Sequence, residues 1–280
     1  MGVEDSGFFQ RFARVGRDGF AFGWHEAGAG NLSYRLTAAE VAACEGDFDT
    51  ARPWKDAGVS VPGLAGEYLL VKAADSFLRD VGERPRELSG VVEVNDAGDA
   101  WRKVWGFQGG ARPTSEFATH LLAHETRSRV SGGADRVVYH AHCPNVIALS
   151  TLLPADSRTW SRALWQVMTE FVVSVPEGVG VVPWMVPGGA DVGHATAELM
   201  EKRRAVVWTQ HGLFVTGESF DDAFGLAHFV EKTAGVYLEA RAANGGREPE
   251  HLVSDAQLRQ ICEAYGVVPE EDFLEDDSLI

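Results

Sequence analysis

With 280 residues, 45% of them hydrophobic, the chain can bury a large core and has the composition of a soluble globular protein. A formal charge of -16 offers no basic face to neutralise phosphates, so nucleic acid and anionic membranes are poor partners and small molecules or proteins better ones. Three scattered cysteines, Cys44, Cys143 and Cys262, make no disulfide scaffold; with no signal-peptide pattern and no run of about 18 apolar residues, the expected compartment is the cytoplasm.

Residues 5 to 23 carry Phe8, Phe9, Phe12, Val15 and Phe20 at mixed three- and four-residue spacing, the pattern of an amphipathic helix. GAGNLSYRL (28 to 36) reads as a glycine loop feeding a strand, and Thr37-Ala38-Ala39-Glu40 as a capping box for a short helix. Strands are expected at 67 to 73, 88 to 95 and 100 to 107, with Asn95-Asp96-Ala97-Gly98 turning between the last two. Thr114 and Ser115, after Pro113, can cap a helix to about 130. RVVYHAH (136 to 142) reads as a strand, followed by helices at about 144 to 152 and 156 to 170. VVSV (172 to 175) and VGVVPWMV (179 to 186) read as strands on either side of Pro176-Glu177-Gly178. A helix over 189 to 203 comes next, then AVVWTQ and LFVTG as strands flanking His211-Gly212, and Ser219 opens a long helix to about 243.

Helices interspersed with hairpin-like strand pairs describe an α/β chain with a central, mostly antiparallel or mixed sheet, not a doubly wound parallel one. No repeat or linker divides it, so residues 1 to 280 read as a single domain, and no GxGxxG or P-loop pattern supports nucleotide binding. Residues 268 to 280 form an acidic tail, with six acids in PEEDFLEDDSLI, and read as a solvated end.

In RVVYHAHCPN an apolar strand ends in two histidines. Side chains alternate across a strand, so His140 and His142 share a face, roughly 6.6 Å apart. The pair alone could be structural. His211, in Trp208-Thr209-Gln210-His211-Gly212, repeats the design: an apolar strand, a histidine, then a glycine that lets the chain turn away. Three neutral imidazoles with a vacant fourth position suit a catalytic Zn2+, and cobalt or manganese also bind such sites. The same alternation aims Cys143 at the opposite face. His120 and His124, four apart on an apolar helix, are a rival pair with no third ligand indicated. Pro113-Thr114-Ser115-Glu116 sets a carboxylate at the first turn of a helix, whose free N–H groups can hold a phosphate or an oxyanion. Glu116 is then either part of a cap or, beside three histidines, a general base or a displaceable fourth ligand.

Taken in order, GNLSYRL, PTSE, HAHCPNVIAL, LWQVMTE, GVGVVPWMVPG, TQHGLF and FGLAHFVEKTA resemble the class II aldolase/adducin family, in particular its ketose-1-phosphate aldolases. The resemblance covers most of the chain. It implies a single α/β domain with a mostly antiparallel sheet flanked by helices, one zinc ion per subunit, and a cyclic homotetramer with active sites between subunits. It places the metal ligands on His140, His142 and His211 and the catalytic glutamate on Glu116. Glu170 matches the acid that a neighbouring subunit contributes near the aldehyde fragment, and Gly30, Asn31, Thr114 and Ser115 match the phosphate-side loops. With both glutamates present, aldol cleavage is favoured over the epimerase, dehydratase and decarboxylase activities of the same fold. Three intact histidines speak against a non-catalytic, adducin-like scaffold.

One loop departs from that pattern. Where the aldolases hold the substrate phosphate on a small glycine- and serine-containing loop, this chain has Val71-Lys72-Ala73-Ala74-Asp75-Ser76. Ala74 replaces the hydroxyl donor and Asp75 the following glycine. An aspartate within about 5 Å of a phosphate opposes it by roughly 3 kcal/mol per unit charge at an effective dielectric of 20. Either Asp75 turns outward and Lys72 or backbone amides supply the contact, or the sugar substrate lacks that phosphate and Asp75 binds a hydroxyl.

Overall fold

The computed structural model describes residues 1–275. Its elements in order are α1 (Gly7–Ala21), β1 (Asn31–Arg35), α2 (Ala38–Cys44), β2 (Lys55–Asp56), β3 (Tyr68–Lys72), α3 (Pro85–Leu88), β4 (Ser89–Val94), β5 (Ala100–Gly106), α4 (Phe117–Val130), β6 (Val137–Ala141), α5 (Pro144–Leu149), α6 (Ser157–Val167), α7 (Thr169–Ser174), β7 (Gly180–Val182), α8 (Ala190–Leu199), β8 (Ala205–Trp208), β9 (Gly212–Gly217), α9 (Phe220–Ala243) and α10 (Asp255–Tyr265). Helix starts follow local chemistry. The Ser6 hydroxyl accepts from Phe9 N to open α1, and full capping boxes open α2 (Thr37 with Glu40), α9 (Ser219 with Asp222) and α10 (Ser254 with Gln257).

Among the described residues the strands form one nine-stranded sheet in the order β2-β5-β4-β3-β1-β6-β9-β8-β7. Every pairing is antiparallel except β7 with β8. Alternation along β1 and β6 divides the core. Leu32, Tyr34, Val137, Tyr139 and Ala141 face one large cluster built with α1, α5, α6 and α9. Val138, with Phe214 and Trp208, faces the other side, against Ala123 of α4 and Val192 of α8. Asn31, Ser33 and His140 share that second face, and Asn31 lies directly across from His140 in the β1–β6 register. Among the described residues, no helix is long and apolar enough to cross a membrane.

Four local expectations are corrected. VVSV is helical, lying in α7, with its C-terminal end just beyond. Its β-branched composition yields to packing: Phe171, Val172 and Val175 are buried in the main cluster, and α7 rests on α10, a helix absent from the expected element list. The helix expected over 156 to 170 breaks at Met168, which is extended. Thr114 and Ser115 do not cap α4; its N-cap is Glu116, whose side chain makes no capping bond. The chain before it is held extended, Thr114 N donating to Lys72 O and Ala74 N to Arg112 O. The acidic tail is docked as far as it is described: Phe273 and Leu274 are buried, and Arg162 donates to Phe273 O at 2.8 Å and to Asp255 at 2.6 Å. The rest of that tail, 276 to 280, lies outside the described residues.

Candidate functional site

His140 comes from an interior strand, His142 from the residue that follows it by one, and His211 from the turn between β8 and β9. One ligand atom from each lies within 4.8 Å of the others. His140 is buried, its ring stacked on Phe214 at 4.2 Å between centroids. Its Nδ1–H donates to Leu213 O at 3.1 Å, which leaves the Nε2 lone pair pointing inward. His142 Nδ1 donates to Glu26 Oε1 at 2.6 Å, so its Nε2 is free in the same way. Carbonyl and carboxylate partners of this kind fix the tautomer of metal-binding imidazoles.

His140 Nε2 and His211 Nε2 lie 3.2 Å apart. A tetrahedral ion with bonds of about 2.05 Å spaces its ligands about 3.3 Å apart, so the spacing fits a zinc-sized cation. At His140 and His211 protonation does not compete at neutral pH. Burial, then the neighbouring histidines, hold His140 well below its ordinary value, and burial brings His211 down to about 4.

The turn that presents His211 differs from its sequence reading. The left-handed residue is Gln210 (φ 55°), pinned by Ser150, whose hydroxyl accepts from Gln210 N at 2.8 Å. Gly212 is needed for proximity: a Cβ there would lie 2.5 Å from Ala141 O and 3.0 Å from His140 Cε1.

Glu116 stands over the cluster, with carboxylate oxygens 3.6 Å from His140 Nε2 and 3.6 Å from His211 Nε2. Burial pushes its carboxyl pKa up, while the Asn31 amide, donating to Oε2 at 2.7 Å, favours the anion. The rival pair belongs elsewhere. His120 Nδ1 and His124 Nε2 both bond the Ser33 hydroxyl, at 2.6 and 2.8 Å, and His120 Nε2 bonds Asn31 Oδ1.

The loop residues take distinct places. Gly30 has φ +69°, and a Cβ there would sit 2.4 Å from His25 Cδ2. Thr114 is buried, its hydroxyl accepting from Glu116 N at 3.4 Å, and Ser115 is exposed. Asp75 has φ +52° and turns outward to Arg112, 3.2 Å away. Lys72 is buried with its ammonium donating to Gly28 O at 2.7 Å; desolvation lowers its pKa to about 8, against the pull of Glu116 and Asp75. Glu170 is exposed on α7, and among the described residues no hydrogen bond or ion pair joins it to the histidines. Glu26 was not singled out in the sequence. Its bond to His142 spans 116 positions, and nothing in the local pattern points to it.

Residues 10–238 match the family of class II aldolase and adducin N-terminal domains. The chain is 38% identical over 269 residues to rhamnulose-1-phosphate aldolase of Pectobacterium carotovorum, covering 96% of this chain and 97% of that protein. It is 34% identical over 278 residues to rhamnulose-1-phosphate aldolase of Enterococcus faecalis, covering 99% and 97%. The fold matches the crystal structure of a sugar-phosphate aldolase from Thermotoga maritima with a TM-score of 0.70 and 26% identity, over 85% of this chain and 95% of that one.

Proposed function

Because the chain belongs to the class II aldolase and adducin family, we propose that it is a zinc-dependent aldolase that cleaves L-rhamnulose 1-phosphate to dihydroxyacetone phosphate and L-lactaldehyde. The observation that carries this reading is the convergence of His140, His142 and His211 beneath the Glu116 carboxylate, in a chain more than a third identical to rhamnulose-1-phosphate aldolases over nearly its full length.

His140, His142 and His211 hold the cation, with Leu213 O and Glu26 fixing the two tautomers. When bound, it supplies Lewis acidity for the ketose carbonyl and for the charge left as the carbon–carbon bond breaks, worth several kcal/mol. Glu116 takes and returns the proton at the nucleophilic carbon, and Asn31 keeps its carboxylate in place. Gly30, Asn31, Thr114 and Ser115 line the phosphate side. With Asp75 turned outward to Arg112 and the Lys72 ammonium held on Gly28 O, in the loop that carries Gly30 and Asn31, the phosphorylated substrate is favoured over the free ketose. Glu170 reaches the aldehyde oxygen from a neighbouring subunit of a cyclic homotetramer, and the enzyme works in the cytoplasm.

The test is cleavage of L-rhamnulose 1-phosphate beside free L-rhamnulose, with metal analysis of the purified protein. Glu116→Gln should retain the metal and lose turnover by about a hundredfold or more. Protein that binds no divalent metal and cleaves neither ketose would end the aldolase reading; preference for the free sugar would end the substrate assignment alone.

A further inference from the structure

Glu116, His120 and His124 sit at positions i, i+4 and i+8 of one stripe that begins at the N-cap of α4 and faces the sheet. That spacing advances about 6.0 Å per step. Asn31 and Ser33, two apart on β1, advance about 6.6 Å on the opposing face. The two rises nearly match, so the side chains mesh like teeth: Glu116, Asn31, His120, Ser33, His124. Each adjacent pair is hydrogen bonded. All five residues are buried, the most exposed at 6%.

The chain of bonds has a direction. A carboxylate only accepts, so Asn31 must present its N–H to Glu116 and its Oδ1 to His120. Oδ1 then needs a donor, which makes His120 the Nε2–H tautomer and leaves Nδ1 to accept from the Ser33 hydroxyl. With its proton spent there, the Ser33 oxygen accepts from His124 Nε2–H. The opposite direction would turn the Asn31 oxygen toward the Glu116 carboxylate, acceptor against acceptor, and give up the 2.7 Å bond between them.

Resting on the aldolase reading above, we propose that His120, oriented by Ser33, is a positioning residue for catalysis: its fixed tautomer holds the Asn31 amide with the N–H toward Glu116 and so aims the carboxylate. Neither His120 nor Ser33 touches the histidine cluster or substrate. Their effect falls on turnover, because a base displaced by about 1 Å can lose about a hundredfold in rate while binding contacts stay.

The experiment compares His120→Gln with His120→Leu. Glutamine puts an amide N–H2 near the place of Nε2 and can rotate it toward Asn31 Oδ1, whereas leucine fills the space with no donor. His120→Leu should lower kcat by at least about tenfold with KM within about threefold and metal content unchanged; His120→Gln should keep kcat within about threefold. Equal losses in both variants, or a loss expressed in KM or metal content, would reduce His120 to packing and overturn the proposal. Should His120→Leu fail to fold, Ser33→Ala carries the same expectation, and kcat within twofold of the parent refutes it. A second readout is independent of activity: proton-coupled 15N spectra of histidine-labelled protein should show His120 protonated at Nε2. Protonation at Nδ1 overturns the proposal whether or not the protein cleaves a ketose, while a parent protein that cleaves none, with His120 protonated at Nε2, would sink the aldolase reading and leave the bond direction standing.

Discussion

Acidification to pH 5 should cost this fold about 4 kcal/mol through two buried histidines. His25 is sealed beneath Gly30, with Nδ1 donating to Gly16 O at 3.3 Å and the Tyr139 hydroxyl donating to Nε2 at 2.8 Å. Burial brings its pKa down to about 4, and that of His120 to about 3. Both lie below the unfolded value near 6.5, so between those limits the unfolded chain binds more protons than the folded one. Stability is therefore full above pH 6.5 and is lost as the pH falls toward the folded values. From pH 7 to 5 the unfolded imidazole gains about 1.4 units of proton-binding free energy and the folded one almost none, or about 1.9 kcal/mol per histidine at 1.36 kcal/mol per unit. The figure hardly depends on how far below 4 the folded value lies. Raised carboxyl groups, Glu116 and Glu231 among them, act in the opposite sense, so the comparison must be made between variants. Urea unfolding with excess chelator at pH 7 and pH 5 should show the parent losing about 2 kcal/mol more than His25→Gln over that interval, and likewise for His120→Gln. A gap below about 0.5 kcal/mol would mean that these imidazoles are charged or wet in the folded protein, and the reasoning from burial would fall.

Glu26→Gln should weaken zinc binding about tenfold in competition with a chromophoric chelator, the low end for such partners because Glu26 is largely exposed; an unchanged dissociation constant would remove Glu26 from the site. Asp75→Gly should raise stability by about 0.5 kcal/mol in urea unfolding, since it relieves a left-handed non-glycine residue at the loss of an exposed ion pair. The same change should lower KM for the phosphorylated ketose by up to about fivefold and leave the free sugar unaffected, the charge acting through solvent. Gly212→Ala should cost several kcal/mol in unfolding or abolish folding, because its Cβ would meet Ala141 O at 2.5 Å; a variant as stable as the parent would show that β6 and β9 can part without penalty.

His140 and His142 are legible because they end a short apolar strand, where period-2 alternation puts them on one face; His211 is marked by the apolar strand before it, but its direction comes from a turn with Gln210 left-handed, which alternation does not describe. Helical spacing shows that His120 and His124 share a stripe, but Leu121, Leu122 and Ala123 between them are buried as well, so the sequence does not say that the polar stripe is the one turned to the sheet. The α7 segment shows composition losing to context: Val172 and Val173 suit a strand, yet α10, nearly ninety residues later, supplies the surface on which a helix packs. In the tail, six acids give the composition of a solvated end, yet Phe273 and Leu274 among them bury themselves against α6 and its neighbours. Glu26 and Lys72 find their partners across loops, and contacts of that range leave no periodic trace.

The three histidines are unequally anchored. His140 belongs to a strand flanked on both sides within the sheet, and displacing it means opening the core. His142 and His211 lie outside the strands, partly exposed, held by a surface carboxylate and by a turn pinned to Ser150. An ion seated here can therefore be released ligand by ligand from the solvent side while the sheet stays closed. Chelation should strip it from the native protein faster than the protein unfolds, and fresh metal should restore the site without refolding, so the occupant is set by the ions available at the time rather than by the one present when the chain folded.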